Sequence, residues 1–158
     1  MYLNKKSIIQ EKRNLVDWSR SLKNISNELW VKPFRNGSWG TAEVISHFIS
    51  WDKFMMENRI TYILRNECLP KINIDVEAMN KEAAEYARAG ITKEDLLNEF
   101  IFIREELVNL ISKIPEERFH HPLQGKEHIT LSEYFVGMID HDLKHKKQIE
   151  SHINKKNY

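Results

Sequence analysis

Four stretches of the chain place apolar residues at steps of three and four, and Gly and Pro fall almost entirely between them. Apolar spacing near the helical period, punctuated in this way, predicts an all-helical chain. The first stretch runs from about Asn4 to Leu29. Ile8, Leu15, Leu22 and Leu29 recur every seven residues, with Trp18 and Ile25 filling the alternate positions, which predicts an amphipathic helix with one buried seam. It ends before Pro33, and Asn36-Gly37 marks the turn that follows. The second begins at Gly40 or Thr41 and runs to about Arg65. Its apolar positions are Val44, Ile45, Phe48, Ile49, Trp51, Phe54, Met55, Ile60, Ile63 and Leu64. Gly40 is an acceptable N-cap, and Glu43 sits where a carboxylate meets the positive end of the helix.

Residues from Asn66 to Ala89 are the least regular. Pro70 and the alternation in Lys71-Ile-Asn-Ile-Asp75 predict an extended connection, followed by a short helix over Ala78–Arg88 that Gly90 stops. The third long helix has Thr92 as N-cap and a seam of Leu96, Phe100, Ile103, Leu107, Leu110 and Ile114, with Pro115 closing it. Pro115–Ile129 reads as a loop. Thr130-Leu-Ser-Glu133 is a capping box, in which side chains and backbone amides satisfy one another reciprocally, and it opens a fourth helix reaching about Ile153. Four long amphipathic helices imply an all-α, four-helix-bundle architecture for a single domain over residues 1–158, with a short extra helix between the second and third. The long connections leave parallel neighbours open as well as antiparallel ones.

Composition narrows the function classes. Lys and Arg total 24 against 23 Asp and Glu, a net charge of +1, so no basic excess points to nucleic acid or an anionic membrane. No apolar segment follows the charges of Met1-Tyr-Leu-Asn-Lys-Lys, so no secretory signal is read there. Apolar runs such as Phe100-Ile-Phe-Ile103 are far too short to span a bilayer. The single cysteine, Cys68, excludes an intramolecular disulfide and fits a reducing compartment. The cytoplasm is the expected location.

The candidate chemistry lies in the histidines. His141 and His145 are four residues apart, one turn above each other on one helical face. Following Leu131, Tyr134 and Met138 at helical steps leads to both before Ile149 resumes the pattern, which places them on the core-facing stripe. His47, three after Val44 and four before Trp51, lies on the inner edge of another long helix and is the candidate third ligand. Three imidazoles with positions left over are the pattern of an open, catalytic metal centre rather than a closed structural one. Glu43, one turn before His47, is placed to accept its free ring N–H. Trp39, Trp51, Tyr134 and Met138 are candidate cavity walls, core packing being the competing role.

Two readings stay open on these residues: a metal centre, or a histidine cluster filled by hydrogen bonds. His141-Asp142-x-x-His145 brushes the H-E-x-x-H zinc-protease motif, but Asp is shorter than the required Glu. His152 extends the same face near the helix end, and His120, His121 and His128 belong to the loop. Neutral imidazoles favour zinc, with nickel next, over calcium or magnesium.

Trp39-Gly-Thr-Ala-Glu43-Val-Ile-Ser-His47 resembles the start of the second helix in the DinB/YfiT-like metalloenzymes. Pro115-Glu-Glu-Arg-Phe119, Thr130-Leu-Ser-Glu-Tyr134 and His141-x-x-x-His145 with Gln148-Ile149 resemble that family's third-to-fourth helix region, and together these pieces cover essentially the whole chain in order. The resemblance implies an up-down-down-up bundle, often dimeric, with a divalent metal on His47, His141 and His145. It further implies a small-molecule enzyme, a thiol-dependent S-transferase of the bacillithiol type ahead of a hydrolase, acting on electrophilic compounds. A non-catalytic metal-binding or stress-response module is the alternative. Gly40 departs from the Ser or Thr usual there, which weakens a cap and leaves the ligands untouched.

Overall fold

The computed structural model describes residues 3–155. The chain is mainly helical, and the helices stand close to where the apolar periodicity places them. Helix α1 spans Lys5–Ser21 and starts where the Asn4 side chain accepts from the Ser7 amide at 2.8 Å. It does not continue to Leu29. A 3₁₀ turn, Leu22–Asn24, and extended Ile25 break it, and Ser26 caps a separate short helix α2, Asn27–Val31, by accepting from the Leu29 amide at 3.1 Å. Asn and Ser compete locally for backbone hydrogen bonds, so Asn24 and Ser26 override a seam whose apolar members, Ile8, Leu15, Leu22 and Leu29, are nonetheless all buried.

Helix α3 spans Thr41–Met55 and runs through a π-helical turn, Met56–Ile60, into α4, Thr61–Leu64. The Thr61 hydroxyl donates to the Met56 carbonyl at 2.6 Å across that turn. Asn66, at φ 56°, takes the left-handed conformation that ends such helices and that Asn tolerates better than most residues. Gly40 precedes α3 for reasons of space, because a Cβ there would run into the Lys32 carbonyl, where the chain pairs Pro33 with Gly40. The glycine is thus a packing requirement rather than a weakened cap.

Asp75 caps α5, Val76–Arg88, by accepting from the Ala78 amide at 3.0 Å. Thr92 does the same for α6, Lys93–Ser112, through the Asp95 amide at 3.1 Å. The expected loop from Pro115 is more ordered than a loop. It holds a 3₁₀ turn, Glu116–His120, and a hairpin of β1, Pro122–Leu123, with β2, Lys126–Thr130, turned by Gln124-Gly125 with Gly125 at φ 91°. Such a two-residue turn favours a residue that accepts positive φ. The capping box forms as read: Thr130 Oγ1 accepts from the Glu133 amide at 3.1 Å and Glu133 answers to the Thr130 amide at 3.2 Å. Helix α7 then runs Leu131–Lys155.

Helix α3 packs against α5 and α6, and α1 packs against α6 and α7. The interior falls into two apolar clusters. One gathers Leu15, Leu22, Trp30, Phe48, Ile49, Phe100, Ile103 and Ile149, and the other Ile8, Met55, Leu107, Phe119, Phe135 and Ile139. Each fully buried side chain of this kind contributes about 1.5–3 kcal/mol. Between the clusters lies an ion network with one member on each long helix: Lys12, Asp52, Arg104 and Asp142. No described helix is long and apolar enough to cross a membrane.

Candidate metal centre

His47 projects from the middle of α3, and His141 and His145 from successive turns of α7. The three ring centroids are 5.3, 5.0 and 4.6 Å apart, and one ligand atom from each ring lies within 4.8 Å of the others. All three predicted ligands therefore meet at one place. Their burial differs from the expectation. His47 is 5% exposed, His145 is half-buried and His141 is exposed. The buried stripe of α7 is Leu131, Phe135, Ile139, Asp142 and Ile149. It runs beside the stripe read from the sequence, so Asp142 takes the interior position and His141 faces a cavity. A period of 3.6 does not distinguish a face that packs from a neighbouring face that lines a hole.

The tautomer of His47 follows from its neighbours. Trp51 Nε1, which can only donate, lies 3.1 Å from Asn80 Oδ1, and His47 Nδ1 lies 3.1 Å from the same oxygen. With Asn80 Oδ1 accepting from both, His47 carries its proton on Nδ1 and Nε2 bears a bare lone pair. That Nε2 atom is buried and has no hydrogen-bond partner among the described residues. His145 Nδ1 lies 3.2 Å from Gln148 Oε1, which orients the second ring in the same sense.

Burial, with the neighbouring imidazoles His145 and His141, pushes His47 down to about 4. Burial is also the leading cause lowering His141 and His145 below the ordinary histidine value. All three rings are thus neutral near pH 7. Neutral nitrogen donors that converge, one of them an orphaned buried lone pair, fit a divalent cation.

Glu43 does not support His47. It accepts from Arg88 Nε at 3.2 Å, and Asn80 occupies the place expected for it. The reason is α5, which packs along α3 and brings both Arg88 and Asn80. Of the expected walls, Trp51, Tyr134 and Met138 line a cavity of about 530 Å³ beside the histidines. Trp39 does not. It packs on the His47 ring at 5.3 Å and joins the core. His152 packs edge-on against Phe34 at 4.9 Å, away from the cluster, and His120, His121 and His128 are exposed. Cys68 is exposed, with Gln124 Oε1 3.7 Å from its sulfur.

The sequence reading missed the group behind the histidines. Arg104, 0% exposed, donates through Nε and Nη2 to the two oxygens of Asp52 at 2.6 and 3.0 Å. It also reaches Asp142, from Nη1 to Oδ2 at 3.0 Å and from Nη2 to Oδ1 at 3.4 Å. Lys12 Nζ donates to Asp142 Oδ2 at 2.8 Å. Burial alone would lower the Arg104 value, but the charges of Asp52 and Asp142 outweigh it and hold the guanidinium charged. Burial likewise opposes the Asp142 carboxylate, and Arg104 and Lys12 keep it ionised below its ordinary value. The signal for these residues was a charge standing on an apolar seam: Lys12 lies four after Ile8 and three before Leu15, and Asp52 four after Phe48 and three before Met55. Asn80 gave no such signal.

No significant match to a curated protein is found. The family model described as DinB superfamily matches residues 12–149. That span holds the three histidines, Asn80 and every member of the ion network, and the chain belongs to the DinB superfamily.

Proposed function

We propose that the chain is a divalent-metal-dependent enzyme acting on small molecules, with His47, His141 and His145 as ligands and zinc, then nickel, as the metal. The observation that carries this reading is the buried Nε2 of His47, unpartnered among the described residues, beside two further neutral rings. Membership of the DinB superfamily supports it. The favoured reaction is transfer of a low-molecular-weight thiol, of the bacillithiol type, to an electrophilic compound. When bound, the ion supplies Lewis-acid chemistry that lowers the pKa of a coordinated thiol. The chain's own residues do the rest. Asn80 and Trp51 fix the ligand tautomer of His47, while Phe48, Trp51, Met55, Tyr134 and Met138 wall the cavity in which an electrophile is held away from water.

In this reading α1, α3 with its continuation α4, α6 and α7 form an up-down-down-up four-helix bundle, and the protein works as a cytoplasmic homodimer without nucleic acid or membrane partners. A non-catalytic metal-binding module is the second reading, favoured by the same cluster if no turnover is found.

Metal analysis of the untagged protein should give close to one divalent ion per chain, falling to background in His145→Ala while the metal-free stability stays within about 1 kcal/mol, as for a partly exposed substitution. Metal-free protein on purification from metal-replete medium, with no uptake on addition of zinc or nickel, would overturn the reading. A screen of bacillithiol, glutathione and mycothiol against a model electrophile tests the reaction separately. No rate above background with any thiol, in metal-loaded protein, leaves the binding module.

A further inference from the structure

We propose that the cavity beside the histidines takes an uncharged molecule with a ring-sized apolar body and one acceptor oxygen, and that the Tyr134 hydroxyl binds that oxygen at the end away from the histidines. The proposal deepens the functional reading and rests on its assignment of this cavity as the substrate chamber.

Three observations lead there. The first is that the charges on the lining are spent within the protein. Asp52 gives both oxygens to Arg104, Lys12 and Asp142 are paired at 2.8 Å, and Arg104 also holds Asp142 at 3.0 Å. Glu133, exposed at the rim, accepts from the Thr130 amide and hydroxyl at 3.2 and 3.1 Å. His47 and His141 are neutral near pH 7, burial being the first cause that lowers each. A charged group placed against these walls would give up its water and find no free counter-charge, so the lining favours a neutral molecule.

The second is the Tyr134 hydroxyl. Tyr134 and Met55 both line the cavity, and the hydroxyl donates to Met55 Sδ at 3.8 Å. A thioether is a weak acceptor. Arg59 stands beside the hydroxyl oxygen and can only donate to it, so the O–H proton faces nothing stronger than sulfur among the described residues. Burial outweighs Arg59 and raises the phenol above its ordinary value, which keeps it a donor at neutral pH. Trp51 Nε1 and Asn80 Oδ1, also on this lining, are already engaged with each other next to His47.

The third is the space between the two ends. Tyr134 and His141 stand two turns apart on α7, about 10 Å along the helix axis. Gly137 and Met138 lie between them on the lining, and Phe48 and Trp51 contribute from α3. A Cβ built on Gly137 meets nothing within 4 Å, so this glycine, unfavourable inside a helix, leaves room there. Aromatic and thioether walls suit an apolar ring, and a ring with one oxygen-bearing substituent fits between the histidines and the hydroxyl.

Acetophenone, its isostere α-methylstyrene, in which a methylene replaces the oxygen, and the anion benzoate test the proposal. Each is titrated by NMR into the full-length protein as isolated and after chelation. In both forms acetophenone should bind about fivefold more tightly than α-methylstyrene, the worth of one hydrogen bond, and should shift the Met55 and Met138 methyl resonances. After chelation benzoate should bind about tenfold more weakly than acetophenone. Tyr134→Phe, which keeps the ring, should bring acetophenone down to the affinity of α-methylstyrene and leave the latter unchanged. Gly137→Leu, which fills the open space, should weaken both. Absence of acetophenone binding, unmoved methyl resonances at saturation, benzoate bound as tightly as the ketone after chelation, binding unaffected by Gly137→Leu, or a ketone preference that survives Tyr134→Phe would overturn it. So would a preference lost on chelation, since the ion would then hold the oxygen. If Tyr134→Phe fails to fold, the Tyr134 Cζ resonance decides: acetophenone should move it and α-methylstyrene should not, and equal responses overturn the proposal. Failure of the metal reading appears instead as absence of an ion in metal analysis, which leaves the chelated-protein titrations intact.

Discussion

Asp142 and His141 are consecutive residues of α7, yet they belong to two polar groups of opposite character, one buried and one opening on a cavity. Asp142 closes a network in which guanidinium, ammonium and two carboxylates from four helices satisfy one another at 2.6–3.4 Å. His141 opens a cluster in which three like rings face each other and the buried Nε2 of His47 has no partner among the described residues. Successive helical residues point about 100° apart, so one helix presents a structural tie inward and a site sideways to the cavity. Opposite charges can complete each other inside the protein. The lone pair on His47 Nε2 finds no such completion among the described residues.

The largest expected effect comes from breaking the closed group. Arg104→Met leaves Asp52 and Asp142 buried with only Lys12 to answer them, and removal of one partner from a buried ion pair costs about 3–5 kcal/mol. Urea unfolding should show a loss of that size. Arg104→Met combined with Asp52→Leu should recover part of it, because one uncompensated carboxylate is gone. A single variant as stable as the parent would mean the network does not tie the helices together, and the contrast with the histidine cluster would lose its structural half.

A smaller effect is expected where the two groups are most alike, in dependence on a fixed hydrogen bond. Asn80 reaches His47 only at Nδ1, on the side of the ring away from the unpartnered nitrogen, and holds the proton there. Asn80→Leu frees the ring to take the other tautomer and should weaken zinc binding about 10–100-fold. Stability should change far less than in the Arg104 variant, and Asn80→Asp, which keeps the acceptor, should restore most of the affinity. Competition with a chromophoric chelator measures it. Unchanged affinity in Asn80→Leu would show that the cluster orients itself.

How far the sequence carried this picture depends on which kind of information each residue held. The helices were legible because seams such as Leu96, Phe100, Ile103 and Leu107 repeat at a period that only one secondary structure satisfies. The three clustered histidines were legible for a related reason: two shared a face by spacing, and His47 edged the apolar face of another helix. The break at Ser26 was a local contest between capping and seam, which periodicity does not weigh. Asn80 was illegible, because its role depends on α5 docking along α3 and its own segment says only that it is helical. The network could have been suspected from Lys12 and Asp52, charges on apolar seams. That each pairs into one group with Arg104 and Asp142 depends on helices 38–130 residues apart.

The finest separation between the two groups is in their pH windows. His47 falls from the ordinary value near 6.5 to about 4 in the folded chain, with burial the main cause. Between those values the unfolded chain takes a proton that the folded chain refuses, so stability is full above about pH 6.5 and declines as pH falls toward 4. His141 and His145, lowered in the same direction, add to the decline. Asp142 shifts down from 3.8, because Arg104 and Lys12 outweigh burial. Its contribution is therefore present above that value and is lost only as pH falls further. Urea midpoints of metal-free protein should thus drop from pH 7 to pH 5 with a slope of at most about 1.4 kcal/mol per pH unit for each histidine. His47→Ala should flatten part of that slope and leave the loss that comes with protonation of Asp142, below its ordinary 3.8, in place. If the variant kept the whole slope between pH 7 and 5, the buried ring would not be the group refusing the proton, and the neutral, open cluster would have to give way to one already satisfied within the protein.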